Sequence, residues 1–192
     1  MLNDFPKGEH GKMYYIFSRE QGLILAEAQG VRKTESKLRG FLEPLRFSDI
    51  SFVKAKNGWR IVDACDVQLV NLLRNNDNTQ ILLARISSLL KRFLGQNDPF
   101  PDLFDELSQA FLFLEKAELT QKELKQFEII FITKLLFHIG YLPDKKHIKG
   151  DEDFIEVLVS NTTWSRPLLE GISGMEERLI LAINDSFTHS QL

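Results

Sequence analysis

With one cysteine, six prolines and four histidines in 192 residues, the chain has little material for crosslinks, metal sites or proline-rich linkers. Cys65 has no partner for an intramolecular disulfide or a paired-cysteine zinc site, so the fold must be held by its core. It closes a strand-like run among apolar and acidic neighbours that would raise a thiol pKa, and it reads as a packing residue. His10, His138, His147 and His189 share no metal-ligand spacing, and none stands in a His-Glu-x-x-His helix. His138 reads as a core or boundary histidine. No glycine-rich loop ends in Lys-Ser or Lys-Thr, and the segment from Lys7 to Lys12 follows no expected strand as a phosphate cradle would. Carboxylate neighbours such as Asp105-Glu106 and Glu176-Glu177 point to different faces of a helix, so they make poor acid/base pairs. No catalytic residue, metal, cofactor or small-molecule substrate is expected, and the chain is read as a non-enzyme.

Long apolar runs are also missing. The richest, residues 129–139, is broken by Lys134 and His138 and falls short of the ~20 residues of a membrane span. The opening Met-Leu-Asn-Asp-Phe-Pro-Lys has neither the basic start nor the apolar centre of a secretory signal, so a cytoplasmic location is expected.

What is present is enough apolar material, 43% of residues, for a sizeable core. The formal charge of -3 is unevenly spread: residues 1–60 hold 11 Lys and Arg against 7 Asp and Glu, and residues 61–192 hold 13 against 20. A basic front and an acidic rear suggest that contact with a polyanion is confined to the first part.

The first third reads as about five strands: residues 13–18, 23–29, a short stretch at 41–45, 49–56 and 59–66, each rich in β-branched or aromatic residues and bounded by turn formers. Asn57-Gly58 favours a type I′ hairpin between the last two. Strands this close leave no room for crossover helices, which implies an antiparallel meander or small closed barrel, and an OB-like barrel fits the number.

From Asn71 onward the apolar period becomes helical. Residues 79–94 form one amphipathic stretch with Gly95 as its C-cap, and Asp102 caps a second whose apolar face includes Leu103, Leu107, Phe111 and Leu114. Thr120-Gln-Lys-Glu123 has the form of a capping box ahead of a helix apolar around most of its circumference, which is expected at the centre of the helical part. Gly140 and Pro143 end it, residues 153–160 form a shorter helix, and Ser173-Gly-Met-Glu176 offers a second capping box. The expected fold class is α+β: an OB-like antiparallel β-barrel over residues 1–70 that binds DNA, followed by an α-helical bundle over residues 71–192 that binds partners.

The most informative short segment runs from Gly30 to Gly40. It carries Arg32, Lys33, Lys37 and Arg39 on an expected loop, where such cations track phosphates without reading base sequence. Lys54, Lys56 and Arg60 flank the hairpin. Tyr14 and Phe41 read as barrel core, whereas Trp59, beside the turn, is either core or a stacking face for an unpaired base.

Phe17-Ser-Arg-Glu-Gln-Gly22-Leu, Ala28-Gln-Gly30-Val-Arg32-Lys33 and Ser36-Lys-Leu-Arg39-Gly-Phe-Leu-Glu-Pro44 resemble, in order and spacing, the amino-terminal signature of bacterial RecO proteins. Leu89-Leu through Phe104, Phe127-Glu-Ile-Ile-Phe and Leu135-Leu-Phe-His-Ile-Gly140-Tyr-Leu-Pro143 are similar to that family's helical part, so the resemblance covers most of the chain. It implies a recombination mediator that uses no ATP, binds single- and double-stranded DNA, anneals complementary strands, contacts RecR and single-strand-binding protein, and helps load RecA. By position, Arg32, Lys33, Lys37 and Arg39 match the family's basic barrel loop. Because the resemblance implies this partner and apolar helical faces can form a groove, a groove between the helices is expected to take the acidic, apolar tail of single-strand-binding protein, with Lys91, Arg92, Lys122 and Lys125 as candidate contacts. The rival is an interaction adaptor with a RecO-like fold and little DNA binding of its own.

Two departures stand out. Relatives usually carry several more residues ahead of the position of Leu2, enough to complete the first barrel strand, so the expectation is either a shortened barrel or a start placed too late in the sequence. Many also have a four-cysteine zinc module after Gly-Tyr-x-Pro, but the stretch from Asp144 to Asp153 holds no cysteine. Elemental analysis of the purified chain should therefore find no stoichiometric zinc; one tightly bound ion per chain would contradict this reading.

Overall fold

Five strands precede six helices in the computed structural model, which describes residues 1–56, 58–68, 77–141 and 152–189. The strands are β1 (Asn3–Lys7), β2 (Gly11–Ser18), β3 (Gly22–Ala28), β4 (Phe47–Ala55) and β5 (Gly58–Gln68). The helices are α1 (Asp77–Phe93), α2 (Pro101–Lys116), α3 (Gln121–His138), α4 (Glu152–Ser160), α5 (Arg166–Glu170) and α6 (Glu176–His189). The α+β class and the OB-like sheet followed by helices are as the sequence led us to expect. No helix among the described residues is long and apolar enough to cross a membrane.

The sheet order is β1-β2-β3-β5-β4, and among the described residues it does not close into a barrel by strand pairing. Three of its contacts are antiparallel, but β3 meets β5 in parallel through Ala26–Trp59 and Glu27–Arg60. The strand expected at residues 41–45 is absent. That stretch is a series of turns, with Leu42 buried, Phe41 partly buried and Leu45 at φ 61, so its apolar residues anchor a loop. The fifth strand is instead β1, which a proline hides from pattern reading. Pro6 is accommodated because β1 lies at an edge of the sheet, where a missing N–H costs no interior ladder bond.

Alternation along β2 and β3 sends Tyr14, Ile16, Ile24, Ala26 and Ala28 into a core shared with Val31, Leu42, Ile61 and Ala64. Cys65, expected to pack, is exposed, because its neighbour Ala64 takes the inward position on β5.

Two compact units divide the chain, Met1–Phe104 and Asp105–Leu192. The first takes in α1 as well as the sheet; residues 69–76, where the change of period was placed, lie outside the described residues. Helix α1 ends at Phe93, and the left-handed residue that follows it is Asn97 (φ 59) rather than Gly95.

In the second unit the Thr120 capping box forms as expected. Glu123 N–H donates to Thr120 Oγ1 at 3.3 Å, and Thr120 N–H donates to Glu123 Oε2 at 2.7 Å. Helix α3 is buried on nearly every side and packs against α4, α5 and α6. The second box does not form, since α6 begins at Glu176 itself. The Ser173 hydroxyl accepts from Gln126 Nε2 at 3.1 Å, and the Glu176 carboxylate accepts from Gly174 N–H at 2.6 Å. The short helix α5 escapes periodicity altogether; Ser165 caps it and Pro167 sits in its first turn.

Lys134, which interrupts the apolar run, is fully buried. Its ammonium donates to Glu106 Oε1 at 2.8 Å and to the Asn161 carbonyl, and lies 5.3 Å from the centre of the Trp164 ring. Trp164 Nε1–H donates to the same Glu106 oxygen at 2.6 Å. Removing one charge strands the other in a low-dielectric core, so Lys134→Met should lower stability in urea unfolding by about 3–5 kcal/mol. Combining it with Glu106→Gln, which removes the second charge and keeps an acceptor for Trp164, should restore part of that loss. A single variant as stable as the wild type would refute this account.

Candidate nucleic-acid interface

Beyond β3 the chain reverses at Gly30, whose φ of 67 suits a residue without a side chain, and then runs through consecutive turns to β4. Lys33 N–H donates to the Gly30 carbonyl at 3.0 Å, Ser36 N–H to the Lys33 carbonyl at 3.2 Å, and Arg39 N–H to the Ser36 carbonyl at 3.4 Å. Arg32 N–H donates to the His10 carbonyl at 3.1 Å, tying the loop to the turn between β1 and β2. Val31 and Leu42 are buried, and Leu38 and Phe41 pack against the same core. Because these anchors interleave with the cations, Arg32, Lys33, Lys37 and Arg39 are all exposed.

The second basic group lies on the hairpin of β4 and β5. Lys54, Lys56 and Arg60 are exposed. Ala55 pairs with Gly58, which puts Lys56 in the hairpin loop; Asn57, and with it the expected turn type, lies outside the described residues. Arg60 pairs with Glu27, only two residues before the loop segment begins at Gln29. Glu27 Oε2 also accepts from Lys7 Nζ at 2.8 Å, and this bond, helped by the charges of Lys7 and Arg60, holds the Glu27 carboxyl below its usual range. Lys7 and Arg60 therefore face a carboxylate of their own sheet, whereas no carboxylate of this kind is seen against Lys33, Lys37 or Arg39 among the described ion pairs.

The aromatic candidates separate. Tyr14 is core, its phenol pushed up to about 12 by burial and then by the Asp4 charge. Phe41 is half-buried beneath the Arg46 guanidinium, 6.0 Å from its ring centre. Trp59 is half-buried, 6.3 Å from Phe52 in a T-shaped contact, and its Nε1–H donates to Asn97 Oδ1 at 3.2 Å. Asn97 went unnoticed in the sequence, although Gly-Gln-Asn-Asp is turn-forming and asparagine adopts left-handed φ more readily than most residues.

The candidate partner contacts fall into two pairs in different compact units. Lys91 and Arg92 occupy the last turn of α1, the Lys91 ammonium 5.6 Å from the Tyr15 ring centre and the Arg92 guanidinium 5.6 Å from that of Phe93. Lys122 and Lys125 are exposed near the start of α3. Among the described residues no group of three or more His, Cys, Asp or Glu side chains is placed to hold a metal; residues 144–151, including His147, lie outside the description.

Comparison with known proteins bears on this arrangement. Residues 1–68 match the family model described as Recombination protein O N terminal, and residues 78–147 match that described as Recombination protein O C terminal. The chain belongs to the RecO family. It is 29% identical over 150 residues to the DNA repair protein RecO of Thermodesulfovibrio yellowstonii, covering 77% of this chain and 58% of that protein. The RecO of Dehalococcoides mccartyi (strain BAV1) is 30% identical over 137 residues, covering 71% and 53%. That of Myxococcus xanthus is 25% identical over 144 residues, covering 74% and 57%. The chain thus matches somewhat more than half the length of these curated RecO proteins. The amino-terminal match ends with β5 at Gln68, so it contains both basic groups.

One close approach joins β3 to the connector after α1. Gly22 has φ 65, and a Cβ there would lie 1.8 Å from the Asp98 carbonyl oxygen, while Asn97 N–H donates to the Leu23 carbonyl at 2.9 Å. Gly22→Ala should therefore destabilise the protein by more than ~1 kcal/mol in denaturant unfolding, because neither the dihedral nor the contact admits a methyl group. An unchanged midpoint would show that the connector does not dock on β3.

Proposed function

We propose that this chain is a non-enzymatic recombination mediator in DNA repair. In this reading it binds single- and double-stranded DNA through residues 1–70, anneals complementary strands, and assists RecA loading together with RecR and single-strand-binding protein through residues 71–192. The observation that carries the proposal is the loop after β3, where apolar anchors hold Arg32, Lys33, Lys37 and Arg39 outward in one short segment. Phosphates are attracted to such a row whatever the base sequence, and release of their counterions drives binding. Lys54, Lys56 and Arg60 extend the basic surface, with Trp59, paired with Lys54, available to an unpaired base. Membership of the RecO family supports the repair role; in the same reading the tail of single-strand-binding protein meets Lys122 and Lys125 at the start of α3, and Lys91 and Arg92 on α1 are a separate candidate contact.

The adaptor reading, with little intrinsic DNA binding, draws on the carboxylate excess of residues 61–192 and on the Glu27 carboxylate that occupies Lys7 and Arg60. Salt separates the two. Affinity for a short oligothymidylate should fall steeply as salt rises if phosphates are being neutralised, and only weakly if docking is apolar. Replacing Arg32 and Lys33 together with alanine should weaken binding to unrelated sequences about equally. It should also reduce the logarithmic salt slope by a little more than ~1, at ~0.7 per phosphate contact on single strands. Stability should move by less than about 0.5 kcal/mol, because these are exposed loop charges. A folded double variant with wild-type affinity and slope would reject the loop and favour the adaptor.

A further inference from the structure

Trp59 stands at the start of β5, opposite Lys54 on β4 and beside Ala26 on β3, with Arg60 next in sequence. Its ring is restrained twice, by the T-shaped contact with Phe52 and by the 3.2 Å hydrogen bond that its Nε1–H donates to Asn97 Oδ1. Asn97 comes from the connector after α1, 38 residues away in sequence. Its own position is set by the backbone. Its N–H donates to the Leu23 carbonyl at 2.9 Å, the neighbouring Gln96 bridges to Leu23, and Asp98 sits where only a glycine at position 22 leaves room. At φ 59 a glycine would meet the backbone requirement with no steric penalty. What asparagine adds is the carboxamide oxygen, and that oxygen is used on Trp59.

We propose that Asn97 is a positioning residue that holds the Trp59 indole as a stacking platform for one unpaired base, so that the connector after α1 governs the preference for single-stranded over duplex DNA. The inference rests on the DNA-binding reading above. A base still paired in a duplex already has its faces covered by its neighbours, whereas an unpaired base has a free face for an indole, and Lys54, paired with Trp59 across β4 and β5, shares its face of the sheet for an adjoining phosphate. An indole free to turn about its side-chain torsions must be ordered again by each base it meets, which weakens stacking without touching the phosphate contacts.

The two tryptophans of the chain give the test its signal, because Trp164 is buried and Trp59 is not. Asn97→Gly keeps the left-handed backbone and removes the acceptor; Asn97→Asp keeps both. Binding of an oligothymidylate and of a duplex of equal length is followed for the full chain, together with quenching of tryptophan emission by the oligothymidylate. Asn97→Gly should unfold at a similar denaturant concentration, bind the single strand roughly 5-fold more weakly, near the low end for one base–aromatic stack, and show a smaller quench with duplex affinity unchanged. Asn97→Asp adds a negative charge and lowers both affinities, yet should keep the wild-type ratio of the two. Trp59→Phe should lower that ratio and abolish the quench. A folded Asn97→Gly variant with the wild-type ratio and quench overturns the proposal. If that variant does not fold, wild-type protein whose emission is not quenched by the single strand overturns it equally. Wild-type protein that binds neither DNA overturns the DNA-binding reading itself, an outcome distinct from binding with an unchanged ratio.

Discussion

Two residue pairs, Ala26 with Trp59 and Glu27 with Arg60, join the β1-β2-β3 meander to the β4-β5 hairpin in parallel. Everything the first unit presents to solvent depends on this short seam. The meander and the hairpin are each local antiparallel structures and could form separately, but neither buries its inner face alone. Ala26 and Ala28 are completely buried, and their small side chains leave room for the larger Tyr14, Ile16, Ile24 and Ile61 that fill the same core. The seam also fixes the electrostatics. It brings Arg60 beside Glu27, and through Glu27 beside Lys7, so part of the sheet's positive charge is balanced from within.

The loop after β3 is the complement of that balance. Its cations are not compensated in the same way, and its apolar residues are spent on anchorage rather than on a strand. Burial of Val31 and Leu42 explains how a segment made of turns holds a definite course, and why the charged residues between the anchors face outward. A loop anchored at intervals loses less conformational entropy on meeting a phosphate chain than a free one would, since that entropy was already lost on folding.

In the helical unit the organising contact is polar. Lys134 and Glu106, both buried, bond each other; Glu106 also accepts from the Trp164 indole and Lys134 donates to the Asn161 carbonyl, and so they tie the segment between α4 and α5 to α2 and α3. Hydrophobic packing around α3 would tolerate several placements of that segment; a buried charge tolerates only those that satisfy it.

Local signals were the legible ones. The Thr120 capping box, the periods of α1 and α2, the apolar circumference of α3, the β-branched and aromatic content of β2 and β3, and the row of cations from Arg32 to Arg39 could all be read directly, because each depends on residues within a few positions of one another. Features that depend on distant residues could not. Pro6 made β1 look like a loop because its tolerance comes from an edge position; the apolar residues at 41–45 looked like a strand because their burial comes from a core built by other strands; and Ser173 and Glu176 looked like a cap because Gln126, which takes the serine hydroxyl, lies 47 residues earlier. Trp59 shows the division most sharply. Sequence left it between core and surface, and only the folded chain could decide that its indole N–H is held by Asn97, since hydrogen-bond partners across 38 residues are chosen by the packing of sheet and connector and not by the order of residues along the chain.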